Sequence, residues 1–195
     1  MNRKQFFGML QGMSAGELTQ VQLAYWLAKN GHRLQKRDSG ERYFEHPRDV
    51  AISLIERGFN DMTTIVLALL HDSIEDTNTP PHIYVNLFGH DAWEHLFLLS
   101  KNIPVFDPIT GQIVGTFKKP SDQYYDGIRN GPRCVRLVKI ADRRHNMKSM
   151  GSSWPEERRI RYAKETADYL VPIAQQTDPG FAGELSELVS STLKK

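Results

Sequence analysis

The residues with the clearest chemical potential lie together in Ala68–Thr77, which reads A-L-L-H-D-S-I-E-D-T. An apolar run from Ile65 to Leu70 delivers His71 and Asp72, and a second acidic pair, Glu75 and Asp76, follows. In a continuous helix residues four apart share a face, which would pair His71 with Glu75 and Asp72 with Asp76. Ionisable groups at the end of a segment that must be buried are costly unless something pairs with them. A divalent cation is the simplest partner, and His with Asp suits zinc, manganese or iron. The stretch therefore predicts a metal site with acid/base carboxylates beside it. A single His-Asp pair is a weak signal, so the remaining ligands must come from elsewhere in the chain.

The elements that would position such ligands can be read in order. Ser14-Ala15-Gly16-Glu17 has the form of a capping box. Leu18, Val21, Tyr25 and Ala28 follow at helical spacing, with Gly31 as the stop. Residues 32–45 are polar and basic and read as a loop running into His46-Pro47. Proline suits a first helical turn, so His46 stands at a helix entrance beside a basic loop and is a candidate ligand. Val50, Ala51, Leu54 and Ile55 give that helix its apolar face, and Gly58 ends it. Asp61 can cap the helix that runs into His71, and the sequence T-N-T-P-P at Thr77–Pro81 breaks it. Two helical pieces follow, at about 82–88 and 91–101. Their histidines, His82, His90 and His95, have no spacing that ties them to the acidic cluster and read as surface or satisfied side chains. Residues 103–119 have the alternation and the D-P-I-T-G turn of a β-hairpin or long ordered loop, a flap.

Pro132 opens a helix with Val135, Val138 and Ala141 on one side. Asp142 and Asn146 are four apart, as are Lys139 and Arg143, so the helix offers a carboxylate and an amide on one face with cations close by. That surface suits a metal on one side and an anionic ligand on the other. Trp154-Pro155-Glu156-Glu157 starts a long amphipathic helix that Pro172 should kink, and Asp178-Pro179 opens a short last helix. The sum is an all-α protein with one small β-like insertion.

Bulk properties narrow the classes. A chain of 195 residues is one ordinary domain with room for a core. Its 39% hydrophobic and 25% charged residues are globular values, and a net charge of +2 gives no electrostatic case for nucleic acid. Cys134 is the only cysteine, which excludes an intramolecular disulfide and fits a reducing, cytoplasmic compartment. Residues 1–16 lack the continuous apolar core of a signal peptide, and no stretch is long and apolar enough to span a bilayer.

Three separated stretches thus share one chemistry: His46; His71-Asp72; Asp142. Two imidazoles and two carboxylates make a mixed N/O site with room for water. This is the ligand order of the HD superfamily of metal-dependent phosphohydrolases. S-G-E-R-Y-F-E-H-P-R-D-V-A at Ser39–Ala51, L-L-H-D-S-I-E-D-T at Leu69–Thr77 and L-V-K-I-A-D-R-R-H-N-M at Leu137–Met147 resemble the hydrolase domain of the Rel/Spo alarmone enzymes. The resemblance extends over about 34–174, and the E-D that follows H-D makes it specific.

The resemblance implies an all-α HD-domain helical bundle with a β-hairpin-like insertion around 103–119, in which 1–195 is a single hydrolase domain. It implies that the synthetase half of the long enzymes is absent, as in the small alarmone hydrolases. His46, His71, Asp72 and Asp142 would hold the metal, usually manganese. Glu75 and Asp76 would serve the hydrolytic chemistry. Arg37 and Ser39 stand where the family contacts the guanine nucleotide, Asn146 and Ser149 where it contacts the nucleoside. Arg37, Lys139 and Arg143 are candidate cations for the phosphates; for Lys139 and Arg143 the equal alternative is pairing with the site's own carboxylates. The implied activity is 3′-pyrophosphohydrolysis of guanosine 3′,5′-bis(diphosphate) and guanosine pentaphosphate, giving pyrophosphate and GDP or GTP. The alternatives are another phosphorylated nucleotide (an adenine alarmone or the phosphate of NADPH) or a nucleotide-sensing module without turnover. Asp38 where the family often has lysine, Arg42 within G-E-R-Y, and the long insertion are departures that bear on substrate choice.

Overall fold

The computed structural model describes residues 2–111, 113–151 and 154–194. The order is α1 (Arg3–Gly8), α2 (Ala15–Gly31), α3 (Glu45–Ile55), α4 (Met62–Leu70), α5 (Ser73–Asp76), α6 (Pro81–Phe88), α7 (His90–Leu99), β1 (Asn102–Phe106) and β2 (Ile113–Lys118). Then come α8 (Ser121–Asn130), α9 (Arg133–Ser149), α10 (Glu156–Glu165), a π-helical turn (Thr166–Leu170), α11 (Val171–Thr177) and α12 (Pro179–Leu193).

The apolar run before His71 is the axis of the fold. Every α4 residue from Thr64 to Leu70 is buried, and α2, α3, α7 and α9 pack around it. Fully burying side chains such as Ile65, Leu67, Leu69 and Leu70 stabilises by about 1.5–3 kcal/mol each, so this helix fixes where its C-terminus points. Asp61 caps its start by accepting from the Thr64 amide at 2.9 Å.

Its end differs from the continuous helix expected through Asp76. Regular α4 stops at Leu70; His71 and Asp72 form a turn, and α5 resumes at Ser73. The reason is local. The last carbonyls of a helix lack intrahelical donors, and here side chains supply them: His71 Nδ1 reaches Ala68 O at 2.8 Å and Ser73 Oγ donates to Leu70 O at 2.5 Å. Ending the helix this way aims His71 inward.

The Ser14–Glu17 capping box is present at the start of α2. Gly31 is its last helical residue rather than a residue beyond it, and a Cβ there would lie 2.9 Å from Thr77 Cγ2, so the missing side chain lets α2 close on the segment after α5. β1 and β2 form the antiparallel hairpin expected near 103–119, paired from Asn102 with Lys118 to Phe106 with Ile113. Its turn is built by Asp107, whose Oδ1 accepts from the Ile109 and Thr110 amides at 3.0 and 2.7 Å, and by Gly111 at φ +67°.

Helix α8 was not anticipated. The segment 158–176 is interrupted as Pro172 suggests, though by a π turn just before the proline rather than a simple kink. The final helix is fifteen residues rather than short, because Phe181, Ala182, Leu185 and Val189 give it a continuous buried stripe.

Candidate metal centre and active site

Three of the expected ligands are buried and converge: His46, His71 and Asp142 each offer a ligand atom within 4.8 Å of the others. His46 Nε2 lies 3.2 Å from His71 Nε2 and 3.1 Å from Asp142 Oδ1. The Asp72 carboxylate closes the group, 3.5 Å from His46 Nε2 and 3.3 Å from His71 Nε2. Each comes from a different place: the first turn of α3, the turn after α4, and the middle of α9.

The donor set suits a divalent cation. A carbonyl can only accept, so the Ala68 contact puts the hydrogen of neutral His71 on Nδ1 and leaves the Nε2 lone pair facing the cluster. Two imidazole nitrogens at 3.2 Å beside two carboxylates form a converging set of acceptors, the arrangement a metal bridges. Burial opposes charge on His71, but Asp72 and Asp142 outweigh it and lift its pKa to about 9. Burial also disfavours the charged form of His46, whose pKa is lowered. For Asp142 the desolvation penalty is overcome chiefly by Lys139, whose Nζ is 2.9 Å from Oδ2, and the pKa falls well below the usual carboxylate range.

Glu75 and Asp76 part company. Glu75 is held at the start of the hairpin, accepting from the Lys101 amide at 2.5 Å and from Asn102 Nδ2 at 2.9 Å, and it lines the cavity above the cluster. Asp76 sits on the outer side of Tyr43, whose hydroxyl lies 2.9 Å from Asp72 Oδ2 and 2.7 Å from Asp76 Oδ2. A phenol has one hydrogen for these two oxygens. Burial, then the charge of Asp72, push Asp76 up to about 6.

The cluster forms the floor of a cavity of about 650 Å³ with cationic and aromatic walls. Arg37 and Asn146, two of the positions matched to the family's nucleotide contacts, touch: Arg37 Nη2 donates to Asn146 Oδ1 at 2.6 Å, and Asn146 Nδ2 donates to Asp142 Oδ1 at 2.6 Å. Asp38 pairs with Arg158 at 3.5 Å. Lys139 contacts Asp142, whereas Arg143 turns away from the cluster to Glu165 at 2.7 Å and the Tyr125 hydroxyl at 2.5 Å. Ser39 and Ser149 are exposed and lie outside the cavity lining.

No family model matches the chain. GTP pyrophosphokinase rsh of Brucella melitensis is 38% identical over 153 residues, 77% of this chain and 19% of that protein. The bifunctional (p)ppGpp synthase/hydrolase SpoT of Escherichia coli is 36% identical over 162 residues, 82% of this chain and 22% of that protein. Over these residues the chain is homologous to the Rel/SpoT enzymes. It spans about a fifth of the length of these curated relatives. Among solved structures, a metazoan ortholog of SpoT, described as hydrolysing ppGpp and acting in starvation responses, superposes with a TM-score of 0.72 at 22% identity, covering 92% of this chain and 96% of that one. The chain accordingly shares the helical fold of that protein.

Several residues of the cavity, and His145 behind His46, had not been singled out. Tyr43 lies three residues before His46, and His145 three after Asp142; one-turn spacing from a ligand was the available signal. Tyr124 and Tyr125 on α8, and Lys101 and Asn102 at the hairpin, left no such signal because the chain returns to the site through distant segments.

Proposed function

We propose that the chain is a manganese-dependent 3′-pyrophosphohydrolase of guanosine 3′,5′-bis(diphosphate) and guanosine pentaphosphate, releasing pyrophosphate and GDP or GTP. The observation that carries this reading is the buried cluster of two histidines and Asp142, with Asp72 beside it, at the floor of a cavity walled by cations. His46, His71, Asp72 and Asp142 would hold the ion. When bound there, a divalent metal supplies Lewis acidity to a phosphoryl oxygen and makes water a better nucleophile near neutral pH.

The chain's own groups do the rest. Glu75 lines the cavity and can take a proton from the attacking water, an effect worth about 10²–10⁴-fold. Asp76 acts through Tyr43, which ties it to Asp72. Hydrolysis breaks the bond between phosphorus and the ribose 3′ oxygen, and that oxygen takes a proton as it leaves. Lys139 lines the same cavity and is placed to offset phosphate charge. Arg37 and Asn146 form the wall where the nucleoside would sit, and Ser39 and Ser149 flank it from outside. Residues 1–195 act as one HD-type domain in the cytoplasm on a small nucleotide. No helix among the described residues is long and apolar enough to cross a membrane.

The test is product identification. With Mn²⁺ and guanosine 3′,5′-bis(diphosphate), ion-exchange chromatography should show equal amounts of GDP and pyrophosphate. Release of inorganic phosphate instead, or turnover confined to NADPH or an adenine 3′-diphosphate, would reject the assignment.

A further inference from the structure

The cluster holds a third histidine that touches no carboxylate of the floor. His145 stands one turn after Asp142 on α9, half-buried, with its Nδ1 2.9 Å from His46 Nδ1 and the rings 4.7 Å apart between centroids. Two ring nitrogens at that distance must have one hydrogen between them. If His46 donates, its Nε2 lone pair faces His71 and Asp142. If His145 donates, His46 carries its hydrogen on Nε2 and is closed to a cation. The other nitrogen of His145 indicates the direction. Its Nε2 points towards Asp49 Oδ2 at 3.9 Å, a carboxylate that also lies 3.5 Å from Arg48. Asp142 and Asp72 face His46 Nε2 at 3.1 and 3.5 Å and would be taken up by a cation; with them so engaged, Asp49 is the carboxylate that directs the pair, favouring a hydrogen on His145 Nε2 and leaving His145 Nδ1 as the acceptor.

We infer that His145 is a positioning residue: by accepting the Nδ1 hydrogen of His46, with Asp49 behind it, it fixes His46 in the tautomer that ligates a divalent cation. The inference rests on the proposed role of His46 as a ligand. It gives His46 the same kind of support that the Ala68 carbonyl gives His71, through a side chain instead of the backbone. Partners that orient a ligating histidine typically change metal affinity by about 10–100-fold when removed.

The dissociation constant for Mn²⁺ alone, measured by calorimetry without substrate, tests this. His145→Ala should weaken binding by about tenfold to a hundredfold. His145→Asn, which keeps an acceptor near the position of Nδ1, should recover most of that loss, and neither should shift the melting temperature of the metal-free protein as far as the loss of a core residue would. In the wild type loaded with Zn²⁺ as a diamagnetic probe, nitrogen NMR should place a hydrogen on His46 Nδ1 coupled to His145 Nδ1. If His145→Ala does not fold, the Zn²⁺ spectrum and the Asn variant decide the matter. Equal Mn²⁺ affinity in wild type and His145→Ala, or a hydrogen found on His145 Nδ1, overturns the inference while leaving the metal site intact. A wild type that binds no divalent ion overturns both.

Discussion

The floor and the walls of the cavity are built on opposite principles. On the floor, His46, His71 and Asp142 are at most 3% exposed and each already has a partner that fixes its orientation. In the walls, Asp38, Arg158 and Trp154 come from loops and a helix end and meet one another near the surface: Asp38 with Arg158, and Arg158 over the Trp154 ring at 3.7 Å. Buried polar networks cost heavily if any member is missing, whereas exposed pairs contribute little. The floor is therefore intolerant of change and, on the proposed function, serves the reaction, while the walls can vary and serve the choice of substrate.

The largest expected effect lies on the floor. Asp142→Asn removes a proposed ligand and leaves Lys139 without its anionic partner; breaking a buried pair from one side costs about 3–5 kcal/mol. Chemical denaturation of the metal-free variant should show that loss, and hydrolysis should fall to background. If the metal-free stability were unchanged, the floor would not be the preorganised network described. Next is Glu75→Gln, which keeps an acceptor for the Lys101 amide but cannot take a proton. It should lower kcat by about a hundredfold with Mn²⁺ affinity retained; loss of the metal would instead make Glu75 a ligand.

In the walls, Arg37→Ala should raise KM by about tenfold to a hundredfold, the worth of stacking on a base, with metal affinity unchanged. Because Arg37 donates to Asn146, the double variant with Asn146→Ala should cost less than the two single variants added. A graded effect, about tenfold for each pH unit, comes from pH. His71 must lose its proton to ligate, and its pKa in the metal-free protein is about 9. Mn²⁺ affinity should rise by about tenfold per pH unit from 6 towards 9 and then level off, with one proton released per ion, readable by calorimetry in two buffers. Affinity that falls with pH would reverse the sign and refute the assignment. Smallest of all, Ser149→Ala should leave KM within about twofold, as for an exposed residue off the lining; a larger change would show that the wall closes over it when nucleotide binds.

What could be read in the sequence follows the same division. Ser14, Asp61 and the D-P-I-T-G turn are local devices whose partners lie within three or four residues, so their elements stood where expected. The residues of the cluster were legible because they stand in recognisable runs: His46 in the first turn of α3, His71 and Asp72 in the turn after α4, and Asp142 in the middle of α9. The stop at Leu70 was not, since it depends on His71 and Ser73 bonding back to carbonyls instead of extending the helix. Helix α8 was missed because S-D-Q-Y-Y-D-G-I-R-N is polar, with only Tyr124, Tyr125 and Ile128 to mark its buried face. Arg143 appeared equally suited to phosphate or to the site's carboxylates. It pairs with Glu165 on α10, 22 residues further along the chain, and no spacing on α9 could reveal that.

The π turn at Thr166–Leu170 has a consequence for how the cavity can change. An α-helix advances by roughly 100° per residue, and a π turn adds about one residue to the winding, so the stripe facing a given direction shifts by that angle. Before the turn Tyr162 and Glu165 face the cavity; after it Ile173 and Ala174 face the core. One helical segment thus runs in two phases, and the offset between them is set by a single residue. Losing that residue would rewind the segment into one phase and swing Tyr162 and Glu165 off the wall while the core stayed anchored. The shape of the cavity is in this sense adjustable by a frameshift within one helix, with every lining side chain left as it is.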